Sequence, residues 1–188
     1  MSENYTAKFK QGTKIVLNNE PYIIINSTFV NPGKGQAFVR ITLKQLCNGK
    51  KIEKTCKNTD SLPIANIKNI IVYYLYKNYK SLFFMEKTNF EEYSIDRKLL
   101  KENEKWIIPE TEYQATIWNE KLITVIPNNF INLYVVQTSP YYKKKSITSG
   151  NKLAKLNTGA TIKVPLFIKT GDKIKIDTRS SQYVSRIK

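Results

Sequence analysis

Val39, Ile41 and Leu43 alternate with Arg40, Thr42 and Lys44, a period of two that predicts a strand with one face turned inward. The apolar run at residues 22–25 reads as its partner, and Pro32, Gly33 and Gly35 punctuate the turn between them. Short strands are expected at residues 14–17, 22–30, 37–47 and 52–57, with a turn at 18–20, which is enough for a small barrel. Asn48-Gly49 predicts a two-residue hairpin turn that sets Cys47 opposite Lys50 and Cys56 opposite Ile41. A break at Ser61-Leu62-Pro63 opens a second β segment with strands at 70–76 and 81–85. Residues 94–104 carry Ile95, Leu99 and Leu100 at helical spacing and predict one short helix. Strands are expected to resume at Trp106 and at 113–118, and to return through Asn119-Glu120 to 122–125. After a second break at 126–129, a strand at 130–138 leads through a polar loop at 139–151 to strands at 161–168 and 173–178. The chain therefore reads as all-β, divided at the breaks into residues 1–63, 64–127 and 128–188. Each third has about 60 residues, a size at which β-barrels close but are marginal alone.

Charge adds a partner class. Lys and Arg number 31 against 15 Asp and Glu, a formal net charge of +16 with a pI near 9.7, which calls for a polyanion: RNA, DNA or an anionic membrane. Abundant Lys, Asn and Ile, as an AT-rich genome favours, discount that argument without removing it. No apolar run approaches the roughly 20 residues of a membrane span, and the N-terminus lacks the apolar core of a signal peptide, so a cytoplasmic protein without a membrane partner is expected. Histidine is absent, which excludes His-based acid–base chemistry and the commonest metal ligand together. With no paired-carboxylate or nucleophile motif either, no catalytic residue, metal or cofactor is expected. Six residue steps along a strand set the cysteines about 20 Å apart, beyond disulfide reach.

Lys34 stands between two glycines at the apex of the first hairpin. Pro32 fixes one φ, while Gly33 and Gly35 accept positive φ and remove side chains that would hold a large partner off the backbone. A solvated turn lysine is the ordinary reading of such a site. A nucleotide-binding P-loop fits worse, because Lys34 is followed by Gly35 and a second strand instead of Ser or Thr and a helix. Two other groups bear on nucleic-acid binding. Tyr73, Tyr74, Tyr76, Tyr79, Phe83 and Phe84 have the composition of a base-stacking platform, but on paired short strands they read as core and cross-strand packing. Lys143-Lys144-Lys145 beside Tyr141-Tyr142 interleaves charge with rings in a loop, and reads equally as an RNA contact or as a solvated charge run.

The hairpin residues 29–40 (FVNPGKGQAFVR), with residues 14–22 (KIVLNNEPY), Glu53-Lys54-Thr55, Thr59-Asp60-Ser61, Asp177-Thr178-Arg179 and residues 183–186 (YVSR), make the chain resemble the bacterial elongation factor P family over its whole length. The family's C-terminal signature is met by Lys152, Ala154, Gly159, Ile162, Val164, Pro165, Ile168 and Gly171. The resemblance implies an N-terminal SH3-like (KOW-like) barrel followed by two OB-fold barrels, in an L-shaped, tRNA-like arrangement. It implies a monomeric translation factor, not an enzyme, that binds the ribosome between the peptidyl and exit sites beside peptidyl-tRNA and relieves stalling at consecutive prolines. By the same resemblance Lys34 is the modified lysine, β-lysylated by a dedicated ligase, Pro32, Gly33 and Gly35 shape its loop and Gln36 follows it, all of them ribosome- and tRNA-binding, and Tyr183 and Arg186 meet the peptidyl-tRNA. On a regular strand, residues three apart face opposite sides, so only an irregular end would aim Tyr183 and Arg186 together; Tyr183 packed in the third barrel with Arg186 solvated is the alternative. One stretch departs from the family: where its loop reads similar to GDTAxGGxKPA, residues 144–154 read KKSITSGNKLA. Two rival readings are a general single-stranded RNA-binding OB-fold protein, which leaves the glycine-flanked lysine without a role, and the elongation factor P-like paralogue, whose tip usually carries arginine.

Overall fold

The computed structural model describes residues 9–33, 35–57, 59–139 and 150–187. Among them, fourteen strands form three antiparallel sheets in chain order. The first holds β1 (Lys14–Leu17), β2 (Glu20–Val30), β3 (Phe38–Gln45) and β4 (Lys51–Cys56), each paired with the next. Alternation makes this sheet one-sided: Ile15, Tyr22, Ile24, Val39, Ile41, Leu43 and Cys56 turn inward and pack with Phe9. The chain then returns along β1, where Pro63 O accepts from Val16 N at 2.8 Å and Ala65 N donates to Lys14 O at 2.9 Å. That return covers the free edge of β1.

The β3–β4 hairpin differs from the expected register. Cys56 lies opposite Val39, not Ile41, and Lys44 opposite Lys51, so the connection is longer than two residues. Leu46 N donates to Pro21 O at 2.9 Å, which draws the chain toward β2 where a tight hairpin would have it pair with β4. Gly49, at φ +76°, then closes a wider turn by donating to Gln45 O at 3.0 Å. A slip of two residues preserves every side chain's face, so the core is as the alternation predicts. Cys47 sits in that turn and Cys56 at the far end of β4, and neither forms a disulfide.

The second sheet runs β7-β6-β5-β8-β9, from β5 (Ile67–Lys77), β6 (Ser81–Glu86), β7 (Glu92–Asp96), β8 (Glu112–Trp118) and β9 (Lys121–Ile126). Its outer strands β7 and β9 approach one another and curl it. The helix expected at 94–104 is shorter and later. Ser94 and Ile95 belong to β7, and only α1 (Arg97–Leu100), capped by the Asp96 side chain on Lys98 N, is α-helical. Lys101, at φ +48°, ends it, and a 3-10 segment (Lys101–Trp106) follows, so Trp106 closes a helical turn and opens no strand. The leucines that give the helical spacing lie within that single turn; Ile95 reaches the same core from a strand.

The aromatic cluster divides between two faces. Phe84 is buried and Tyr74 packs against it, ring centroids 5.6 Å apart. Tyr76 is 50% exposed and stacks on its cross-strand partner Phe83 at 4.6 Å on the outward face, and Tyr79 is 90% exposed. The expectation that all six are core is corrected: period-two alternation sends every second ring of adjoining strands outward, and a bulge at Leu75 puts Tyr76 rather than Leu75 opposite Phe83.

Glu104 ties the 3-10 segment down. It accepts from Arg97 Nε at 2.9 Å and lies 2.8 Å from Arg97 Nη2 and 3.5 Å from Lys77 Nζ. Burial pushes its carboxyl up, but Arg97, with help from Lys77, outweighs burial and holds it below its ordinary value. A carboxyl lowered by folding stabilises at pH above its unfolded value and loses that contribution as pH falls through its folded value. Glu104→Gln is expected to cost about 1 kcal/mol at neutral pH, with the gap from the parent closing toward pH 3. Urea unfolding at both pH values checks it.

The third sheet runs β12-β11-β10-β13-β14, from β10 (Phe130–Thr138), β11 (Asn151–Leu156), β12 (Thr161–Pro165), β13 (Lys173–Asp177) and β14 (Gln182–Ile187). β11 and β14 were not among the expected strands. The C-terminal signature is a folding motif: Ala154, Ile162, Val164 and Ile168 are buried, while Gly159 and Gly171 take φ +87° and +90° in turns. Thr178, also buried, donates its hydroxyl to Asn128 O at 2.9 Å and closes the barrel's entry. This core includes Trp106, 1% exposed, contributed by the preceding segment. Among the described residues, no helix is long and apolar enough to cross a membrane.

Candidate functional site

β2 and β3 form the longest hairpin of the first sheet. Near the core Tyr22 and Ile24 are buried against Leu43, and a bulge at Ile25 ends the inner half. Beyond it the ladder continues through Thr28↔Arg40 and Phe29↔Val39 to Val30↔Phe38, leaving residues 31–37 as the tip. Asn31, Gly33, Gly35 and Gln36 are exposed and Pro32 is half-buried. Of the two glycines only Gly35 uses its freedom, at φ +109°; Gly33 does not sit in the left-handed region, and nothing lies within 4 Å of where its Cβ would be. Gly33 thus supplies open space and Gly35 the turn of the backbone. Lys34 itself lies outside the described residues. On the outward face of the same hairpin Arg40 is exposed two ladder pairs from the tip, and Lys44 is exposed at the opposite end, across from Ile23.

At the other end of the chain, β14 carries the irregularity that a joint role for Tyr183 and Arg186 requires. Tyr183 pairs with Ile176 and Arg186 with Ile174, and Val184 bulges out of the ladder. The extra residue reverses the alternation, so Tyr183 and Arg186 stand on the same face although they are three apart; it is the face of their buried partners Ile176 and Ile174, and of the two only Arg186 is exposed. Each also has a partner within the chain. Tyr183 packs against the third core, while Arg186 lies 3.8 Å from Asp172 and 5.9 Å from the Phe167 ring centroid. The structure does not bring this pair to the hairpin tip's sheet; the two groups belong to the third and first sheets.

Tyr141, Tyr142 and Lys143-Lys144-Lys145 lie outside the described residues, as does most of the stretch that departs from the family. Gly150 is exposed, and Lys152, Leu153 and Ala154 belong to β11, with Leu153 48% exposed and Ala154 buried. Among the described residues no group of three or more His, Cys, Asp or Glu is placed to hold a metal ion. The acidic motif residues are structural: Asp60 caps a turn by accepting from Lys57 N at 2.9 Å, and Asp177 holds Arg179 through two side-chain contacts of 3.0 and 2.7 Å.

Three family models match in chain order: the elongation factor P (EF-P) KOW-like domain over residues 6–62, the elongation factor P (EF-P) OB domain over 68–125, and elongation factor P, C-terminal, over 131–186. Together the three models cover most of this KOW-like sheet and its two curled OB half-barrels, and the family they describe is one of translation factors, not enzymes. The chain belongs to the elongation factor P family. Membership implies interaction with the ribosome and tRNA. Among solved structures, eukaryotic translation initiation factor 5A from Methanococcus jannaschii is similar at 16% identity and a TM-score of 0.50, the match covering 65% of this chain and 92% of that one. A translation initiation factor eif-5a family protein from Naegleria fowleri ATCC 30863 matches at 18% identity and a TM-score of 0.47, over 64% of this chain and 94% of that one. At 16% identity the likeness to the Methanococcus jannaschii protein is one of fold.

Proposed function

We propose that this protein binds the ribosome beside peptidyl-tRNA, between the peptidyl and exit sites, and relieves stalling at consecutive prolines by promoting peptide-bond formation. The observation that carries the reading is the glycine-framed tip on the β2–β3 hairpin, in a chain matched in order by all three family models. Proline is a secondary amine in a fixed ring, so both its ester and its amine are hard to bring into attack geometry, and holding reacting groups in place is a sufficient source of acceleration. Pro32, Gly33, Gly35 and Gln36 shape a tip thin enough to pass beside the tRNA acceptor end, and Lys34 provides the reach. A lysine side chain is only four methylenes long, and a β-lysyl group attached by a modifying ligase lengthens it while keeping its positive charge. Tyr183 and Arg186, turned to one side by the β14 bulge, are assigned to the peptidyl-tRNA. The factor acts as a cytoplasmic monomer, its three barrels set in a tRNA-like L.

The test compares two preparations. Protein purified from its own cell is expected to show, by intact mass, one β-lysyl adduct on the tip peptide, and to accelerate Pro-Pro-Pro synthesis in a reconstituted system more than the unmodified chain does. Equal rates from both forms would remove the modification from the mechanism, and no acceleration by either would remove the proline role.

A further inference from the structure

The basic charge of this chain is unevenly placed. Residues 64–127 hold nine Lys and Arg against nine Asp and Glu, whereas residues 128–188 hold 12 against two. Both acids of that last third, Asp172 and Asp177, are engaged by arginines, Arg186 and Arg179. Lys173 and Lys175 on β13 therefore have no carboxylate partner among the described residues.

Both lysines lie on the outward face of the third sheet, and both stand over rings. β10 buries Ile131, Leu133 and Val135 and turns Phe130, Asn132 and Tyr134 outward, opposite Asp177, Lys175 and Lys173. Phe130 is 47% and Tyr134 49% exposed. Lys175 Nζ lies 4.9 Å and the Arg179 guanidinium 5.5 Å from the Phe130 ring centroid, and Lys173 Nζ 5.4 Å from that of Tyr134. Two half-exposed rings on one face, four residues or roughly 13 Å apart along the strand, alternate with cations on flexible stems. The outward rings of the second sheet differ in their polar complement, because Tyr73 donates to Glu112 and Tyr76 to Glu92, and the cation over Tyr73, Lys87, is itself paired with Glu112.

We propose that the outward face of β10 and β13 is a binding surface for single-stranded RNA, separate from the Lys34 tip. Phe130 and Tyr134 would each stack a base, and Lys173 and Lys175 would swing from the ring faces to the flanking phosphates. Stacking of this kind is tolerant of sequence, because every base has a π-face, and the cations make it salt-dependent. The proposal rests on family membership for RNA as the polyanion and is independent of what is attached to Lys34.

Fluorescence anisotropy of the full chain with a labelled 12-nucleotide oligouridine tests it. Phe130→Leu/Tyr134→Leu keeps apolar bulk but removes both π-faces, and is expected to raise Kd at least tenfold with an unchanged melting temperature. Lys173→Gln/Lys175→Gln, which leaves both rings and every core residue in place, is expected to flatten the slope of log K against log salt by about 1.4. Lys34→Ala is expected to bind the oligonucleotide as the parent does, which separates this site from the polyproline activity. Parent-like binding by the leucine variant, an equal loss of affinity for an RNA duplex, an unchanged salt slope in the glutamine variant, or loss of binding in Lys34→Ala would each overturn the assignment.

Discussion

Lys34→Ala is expected to abolish acceleration of Pro-Pro-Pro synthesis while leaving the melting temperature within about 1 °C of the parent. The fold has little stake in this side chain. The last ladder pair is Val30↔Phe38, the tip residues on either side of position 34 are exposed, and the core of the first sheet comes no nearer the tip than Val39 and its partner Phe29. A substitution between two exposed tip residues and away from the core falls within about 0.5 kcal/mol of neutral. The activity has everything at stake if reach and positive charge are delivered through one amine. Lys34→Arg separates the two requirements, since a ligase that acylates an amine cannot use a guanidinium in its place; this variant is expected to fail as alanine does. Rates measured with purified ribosomes on proline-rich and proline-free messages decide the matter, and full acceleration by the alanine variant would exclude Lys34 from the mechanism.

Trp106→Ala is expected to produce the largest loss of stability of any single substitution in the 3-10 segment, about 3–5 kcal/mol. Trp106 is 1% exposed and packs with Leu133, Val135, Leu156, Ile162 and their neighbours, in the core of the sheet that follows it in sequence. Its replacement leaves a cavity that side chains held in a curled sheet cannot collapse to fill. A barrel of about 60 residues has little stability to spare, and a loss of that size lowers the melting temperature of such a unit by more than about 10 °C. Scanning calorimetry is expected to show an early transition in the alanine variant and a smaller shift in Trp106→Phe, which keeps much of the buried ring. A melting profile within about 2 °C of the parent would show that the third core does not depend on the indole.

How much of this was legible in the sequence varies with how local the cause is. Strands such as residues 37–43 and 130–138 announce themselves because alternation and burial coincide within one element. The expected helix at 94–104 failed because Ile95 and Leu100 do converge on one core, but from a strand and a single turn, while Leu99 is exposed, and periodicity does not distinguish these routes. The Asn48-Gly49 turn failed for a different reason: the competing partner of Leu46 N is Pro21 O, on another strand and 25 positions away. The outward rings of β10 had a signal, Phe130, Asn132 and Tyr134 at period two, but their significance depends on Lys173 and Lys175, which only pairing with β13 brings beside them.

By itself the sequence determined the all-β class, the absence of histidine chemistry, and the glycine-framed Lys34 with the motifs that mark the family, since each is a matter of residue type, spacing or alternation along the chain. Only the tertiary structure decided which face Tyr183 and Arg186 share, which core receives Trp106, and where the unneutralised lysines of the last third gather. Those depend on register and on bulges, which are set by hydrogen bonds between distant strands, and a single inserted residue such as Val184 reverses the face of everything beyond it.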